Sequence, residues 1–231
     1  MSVKVITVGE EILGANEERA HVNKKRLDKH GTLTINIMSS PGAGKTSLIT
    51  STIKNLRKKV RIAVIEGDVA SSVDAEKVNA LGIPVVQINT AGGCHLEASM
   101  VAKALDDLPV KDTDLLFIEN VGNLICPNAF ALGEDRRVMI ASLPEGDDKP
   151  YKYPAMFADT DVIVLNKIDL QPYLDFSMEA FKKVVTGLNP DVTIFPVSCK
   201  TGAGIRAWFD WLETAVKEKK SGSTDPPRAT P

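Results

Sequence analysis

The stretch SSPGAGKT, Ser39 to Thr46, stands directly after the apolar run TLTINIM and directly before the helix-prone KTSLITSTIKNL. A glycine-rich turn between a buried strand and a helix admits few folds. The strand must lie inside a sheet, and the helix must pack back over it. Gly42 and Gly44 let the main chain bring its N–H groups close to a ligand, and the helix start adds its positive end. Such a loop is built to hold phosphate. Pro41, Ala43 and Ser47 complete the loop and the first helical turn. Lys45 would bridge the terminal phosphates, and Thr46 would hold magnesium through its hydroxyl. The glycine that usually opens such a loop is Ser39 here, so that position has to accept a side chain.

The rest of the chain repeats the same alternation. RIAVIEGD, IPVVQINT, DLLFIENV, RRVMIASL, DVIVLNKI and VTIFPVS read as strands. Between and after them, VDAEKVNALG, LEASMVAKALDDL, FSMEAFKKVVTGL and IRAWFDWLETAVKE read as helices. Continuously apolar strands alternating with amphipathic helices predict an α/β fold. It is a three-layer α/β/α phosphate-loop NTPase with a mostly parallel sheet covered on both faces. In such sheets, ligands lie beyond the carboxyl ends of the strands. Trp208 falls with Ile205, Leu212 and Ala215 on a core stripe. Residues 11–30 predict an N-terminal helix at the domain edge, with a thin apolar face of Ile12, Leu13, Ala20, Val22 and Leu27 and a stop at Gly31. The expected organisation is a helical extension over 1–31, a phosphate-loop domain over 32–216 and a disordered tail over 217–231, where apolar residues are too few to offset ordering.

Composition narrows the partners. The 231 residues carry a net charge of −2, which argues against an electrostatic grip on nucleic acid or acidic lipid. No apolar run approaches the roughly 20 residues of a membrane span. The N-terminus lacks the apolar core of a secretory signal. Three scattered cysteines form no disulfide framework and suit a reducing compartment. The expected location is the cytoplasm.

The base is read from VLNKIDL, which ends an apolar strand. The Asp169 carboxylate can accept two hydrogen bonds from guanine's ring N–H and exocyclic amine, a pair that adenine lacks. Asn166 would brace the loop, and the Lys167 stem would lie over the base. Ser198, Cys199 and Lys200, in SCKTG after the last strand, would back the base, with the Cys199 thiol itself structural. Asp68 and Glu119 end two buried strands. With Lys45 they are the expected catalytic residues, and with Thr46 the expected magnesium ligands, Asp68 alternatively positioning the attacking water. Gly122 could donate its N–H to a third phosphate.

Cys94 and His95 follow two glycines, and a helix is expected from about His95, whose positive end would favour the thiolate. Thiolate and imidazole suit zinc, nickel or copper rather than magnesium. Cys126 follows a strand of the same sheet. Three such donors do not close a tetrahedral site. Either an exchangeable ligand or a second subunit across a two-fold axis would complete it. On spacing alone, small buried cysteines beside a hydrogen-bonded histidine remain the competing reading. His21 and His30 read as solvated.

Together, SSPGAGKTSL, EGDVASSVDAEKV, GCHLEASMV, FIENVGNLICP, EGDDKP, KYPAMF, LNKIDL and SCKTG resemble the HypB hydrogenase-maturation GTPases, of the signal-recognition and MinD-like (SIMIBI) branch of phosphate-loop proteins. The resemblance runs from about residue 11 to about 215. It implies a GTPase using GTP, GDP and Mg2+ that helps deliver nickel to the large subunit of nickel–iron hydrogenase. It implies a HypA-type nickel chaperone as partner, nucleotide-linked homodimerisation, and a nickel or zinc site at Cys94, His95 and Cys126. The chain departs from relatives in two ways. No cysteine-rich or histidine-rich nickel motif precedes Ser39, so tight N-terminal nickel storage is not expected. Ala91, Gly92 and Gly93 stand where the family often has Gly-Lys-Gly. Urease-maturation GTPases are the nearest rival, but they typically carry Cys-Pro-His, where this chain has Cys126, Pro127 and Asn128.

Overall fold

A computed structural model describes residues 8–222, with side chains described from residue 13. In chain order, α1 is Val8–Asp28, β1 Leu33–Ser39, α2 Lys45–Leu56, β2 Ile62–Asp68, α3 Val73–Asn79, β3 Val85–Asn89 and α4 Ala98–Asp106. These are followed by β4 Leu115–Glu119, α5 Cys126–Ala129, β5 Arg136–Ser142, α6 Lys149–Lys152 and α7 Pro154–Ala158. The chain then forms β6 Val162–Asn166, α8 Met178–Leu188, β7 Thr193–Pro196 and α9 Ile205–Ser221. Every expected strand is present. They form one seven-stranded sheet in the order β3-β2-β4-β1-β5-β6-β7, and every neighbouring pair is parallel.

β1 is buried along its whole length because helices cover both faces of the sheet. Side chains alternate between the faces. Ile35 and Ile37 point to a core shared with Leu48, Ile53, Trp208 and Leu212, whereas Met38 joins Met156, Phe157 and Phe181 on the other side. Trp208 is fully buried and its indole N–H donates to Thr52 Oγ1 at 3.0 Å, as a core stripe requires. Among the described residues, no helix is long and apolar enough to cross a membrane.

Two expectations need correction. The inward face of α1 is not the expected apolar stripe: Val22 is exposed, and Asn16 and Asn23 are buried beside Ala20 and Leu27. The side chain of Ile12 lies outside the described residues. Asn16 Oδ1 accepts from the N–H of Ala98, and its amide donates to the carbonyl of Ala131, both at 2.8 Å. The Asn23 amide donates to the carbonyls of Ala98 and Leu132 at 2.8 and 3.1 Å. Buried amides are stable there because main-chain groups satisfy them.

The second correction concerns the tail, expected from residue 217. The helix α9 continues to Ser221, and residues 223–231 lie outside the described residues. Its last turn is held by charge rather than apolar area. Lys219 pairs with Asp28 and Asp135, and Lys220 Nζ lies 2.8 Å from Asp114 Oδ1. Arg61 and Lys220 hold the Asp114 carboxyl well below the usual carboxylate range despite its burial.

Asn23→Leu keeps the volume of α1 but removes its buried hydrogen bonds to the Ala98 and Leu132 carbonyls, so it should destabilise the fold by about 1–3 kcal/mol in urea unfolding. A variant as stable as wild type would show that the Asn23 hydrogen bonds add nothing to stability.

Candidate functional site

The loop after β1 reaches the carboxyl edge of the sheet and feeds directly into α2. Gly42 and Gly44 both have positive φ, 78° and 113°. Gly44 is held by contact as well as by conformation, since a Cβ there would lie 2.3 Å from Asn166 Nδ2. That amide donates to the carbonyl of Ala43 at 2.9 Å, and Lys167 Nζ donates to the carbonyl of Gly42 at 2.7 Å. The residues that end β6 therefore brace the phosphate loop from behind. No acidic residue occupies the first turn of α2 and no side chain caps it, so its leading N–H groups face the loop uncompensated. Ser39 fits inside because its hydroxyl donates to the carbonyl of Ser40 and accepts from Lys45 Nζ at 3.2 Å. Ser40 in turn donates to Glu145, which also accepts from the Ser142 N–H and hydroxyl.

Asp169 sits in a turn of 3-10 helix over Ile168–Tyr173, and Ser198 Oγ donates to one of its oxygens at 2.6 Å. The Cys199 N–H donates to Asn166 Oδ1 at 3.1 Å, and burial pushes its thiol up to about 11, in keeping with a structural thiol. Lys200 is exposed beside it. The two halves of the expected base site thus meet.

The acids are arranged differently from the sequence reading. Glu119 does approach the phosphate loop: Thr46 Oγ1 donates to its Oε1 at 2.8 Å. Asp68 instead curls onto its own loop, accepting from the N–H groups of Ala70 and Ser71 at 2.9 and 2.7 Å. The carboxylates that gather with Glu119 are Glu66 and Asp74, whose oxygens lie within 4.8 Å of one another. Sequence reasoning missed both. Glu66 was legible as a charge two residues before Asp68, on the same face of β2. It pairs in register with Glu119 across the β2–β4 ladder.

Glu66 and Glu119 are each only 2% exposed, and one oxygen of each has no hydrogen-bond partner among the described residues. Burial, reinforced by the charges of Glu119 and Asp68, pushes Glu66 up to about 8. Burial pushes Glu119 up to about 7, against the pull of Lys45 and Thr46. Unpartnered carboxylate oxygens beside a threonine hydroxyl match the oxygen donor set magnesium takes.

Cys94, His95 and Cys126 come together. Their ligand atoms lie within 4.8 Å of one another, and Cys94 Sγ is 3.5 Å from His95 Nδ1. The expectation of a helix start at His95 is wrong. α4 begins at Ala98, so no helix end favours a Cys94 thiolate. Its pKa is raised instead, first by the hydrogen bond with Cys126 and then by burial. Burial pushes the His95 imidazole down, which keeps it in the neutral form a metal ligand needs. Two amides tie the Cys94–Leu96 loop to the segment leaving β4. Asn120 Oδ1 accepts from the Leu96 N–H at 3.1 Å, and Asn123 Nδ2 donates to the Cys94 carbonyl at 3.3 Å. Gly122 of the same segment lies against Pro41 of the phosphate loop, with room for a Cβ only at 3.1 Å. His21 is exposed and His30 partly so, away from this cluster.

Residues 33–196 match the CobW/HypB/UreG nucleotide-binding domain family. The hydrogenase maturation factor HypB of Azotobacter vinelandii is 47% identical over 210 residues, 91% of this chain and 69% of that protein. The chain belongs to the HypB family. The crystal structure of the Archaeoglobus fulgidus hydrogenase maturation factor HypB is similar, with a TM-score of 0.83 and 40% identity over 88% of this chain and 99% of that one. HypB from Helicobacter pylori in complex with nickel has a TM-score of 0.85 and 34% identity, covering 92% and 99%. The fold is therefore the three-layer α/β/α phosphate-loop NTPase of this HypB family of hydrogenase maturation GTPases.

The raised carboxyls make a pH signature. In the metal-free protein, Glu66 and Glu119 are protonated in both states below the ordinary value of 4.5. As pH rises the unfolded chain releases its protons first, so burial becomes increasingly costly up to about pH 8. Glu66→Gln should therefore raise Tm over wild type more at about pH 9 than at about pH 5. An equal difference at both would contradict the buried-acid assignment.

Proposed function

We propose that this chain is a GTP-hydrolysing metal switch, which assists insertion of nickel into the large subunit of nickel–iron hydrogenase. One observation carries the reading: a single seven-residue path runs from Glu119, hydrogen-bonded to Thr46, to Cys126 of the sulfur and imidazole cluster. Nucleotide and metal would therefore act on the two ends of one segment.

In this reading Pro41 to Ser47 cradle the phosphates and Lys45 reaches the terminal ones. Asp169, with Ser198 occupying one of its oxygens, accepts from guanine. Asn166 and Lys167 hold the loop geometry, with Cys199 and Lys200 behind the base. Thr46 and Glu119, joined by Glu66 and Asp74, would hold magnesium, while Asp68 orders the loop that follows β2. Magnesium, when bound, would neutralise charge on the phosphates. Nickel, or zinc in its place, is the cargo at Cys94, His95 and Cys126. Ligands of mixed softness suit both metals, and three donors leave room for exchange with a HypA-type chaperone or a second copy of the chain. The site of action is the cytoplasm.

Ordering of Gly122 by the nucleotide would shift Asn120 and Asn123, and with them the Cys94 loop. Linkage then requires that nickel alter GTP affinity by the factor by which GTP alters nickel affinity. Titrations of each ligand with and without the other should return equal factors, both lost in Cys126→Ala. A GTP effect on nickel affinity that survives Cys126→Ala would contradict the coupling.

Lys45→Ala should abolish multiple-turnover GTP hydrolysis. Asp169→Asn should weaken GTP by on the order of 10⁴, as for other unmet hydrogen-bonding sites, and favour xanthine nucleotide. Unchanged hydrolysis of limiting GTP by Asp169→Asn would remove the guanine assignment.

A further inference from the structure

The short helix α5 carries a thiol at one end and an aromatic ring at the other: Cys126 opens it and Phe130 caps it. The Phe130 ring stacks on the His95 imidazole, with centroids 3.9 Å apart and planes 27° from parallel. Metal-bound histidines are ordinarily oriented through their second ring nitrogen, which donates to a carboxylate, a carbonyl or a water. Among the described residues, His95 has no such partner. Its Nδ1 faces the Cys94 sulfur at 3.5 Å, and its Nε2 is buried without a hydrogen bond among the described residues.

We propose that Phe130 is a positioning residue of the metal centre, its ring fixing the plane of the His95 imidazole in place of the usual hydrogen bond. The proposal rests on the reading of Cys94, His95 and Cys126 as a nickel or zinc site. A stack restrains the ring plane without engaging a ring proton. The ring plane is thus held by a contact that uses neither ring nitrogen, so it stays in place as a metal comes and goes. Cys126 and Phe130 also ride on one helical turn. Displacing α5 withdraws a sulfur and releases the imidazole together, so the cluster loosens as a unit rather than ligand by ligand.

The test is titration of the full chain with nickel and with zinc. Phe130→Leu should weaken binding about 10-fold or more, the range for loss of an outer-shell partner. GTP affinity and Tm should stay unchanged, and the sulfur-to-nickel charge-transfer band should persist at saturation. Phe130→Tyr, which keeps the ring, should bind as wild type does. In a His95→Ala background, Phe130→Leu should cost nothing further. Wild-type affinity in Phe130→Leu would overturn the proposal, as would an equal loss in the His95→Ala background. Should Phe130→Leu fail to fold, Phe130→Met carries the same test. If Cys94→Ser binds nickel and zinc as tightly as wild type, the metal-site reading itself falls, and the positioning role with it.

Discussion

The hydrogen bond between Thr46 and Glu119 is the joint on which this molecule turns. It links the first turn of the helix after the phosphate loop to the end of a central strand. Glu119 is an expensive group to bury, and its second oxygen has no partner among the described residues. A buried carboxylate with a spare lone pair persists where something outside the chain completes it. Glu66, in register beside it, repeats the same arrangement. The carboxyl edge of β2 and β4 thus holds two carboxyls that burial disfavours as anions, a few residues from a lysine and a helix start that supply positive charge.

From that joint, order spreads through short connections rather than through large interfaces. Asn166 reaches the phosphate loop from β6 and also receives the Cys199 N–H from the loop after β7, so one amide ties together the loops after β1 and β7. On the other side, Asn120 accepts from Leu96, and Leu96 fills the space a side chain at Gly67 would need. Each bridge is a buried or half-buried amide between main-chain atoms of distant segments. Such bridges are directional, and they fix loops more tightly than apolar contact alone.

The strands and the phosphate loop were legible because their signals are local: apolar runs, glycines at the required turns, a lysine and a hydroxyl at fixed offsets. The gathering of Cys94, His95 and Cys126 was legible only as a shared sheet edge, sharpened by the resemblance to HypB proteins. What escaped was decided by partners far along the chain. Asn16 and Asn23 were left out of the inward face of α1 because nothing local reveals the carbonyls they meet. Lys219 and Lys220 read as tail because the acids that anchor them lie on other elements. Glu66 and Asp74 were passed over in favour of Asp68, whose carboxylate found donors two and three residues on.

The asparagines of α1 have one more consequence. Both polar main-chain groups of Ala98 are satisfied by α1, through Asn16 and Asn23. The residue before it, Glu97, offers no side-chain cap of its own. The start of α4 is thus splinted from outside, and α1 rather than local sequence decides where the loop bearing the two soft donors ends and regular helix begins. The length of slack available to those donors is written some eighty residues upstream, in two asparagines of a separate helix.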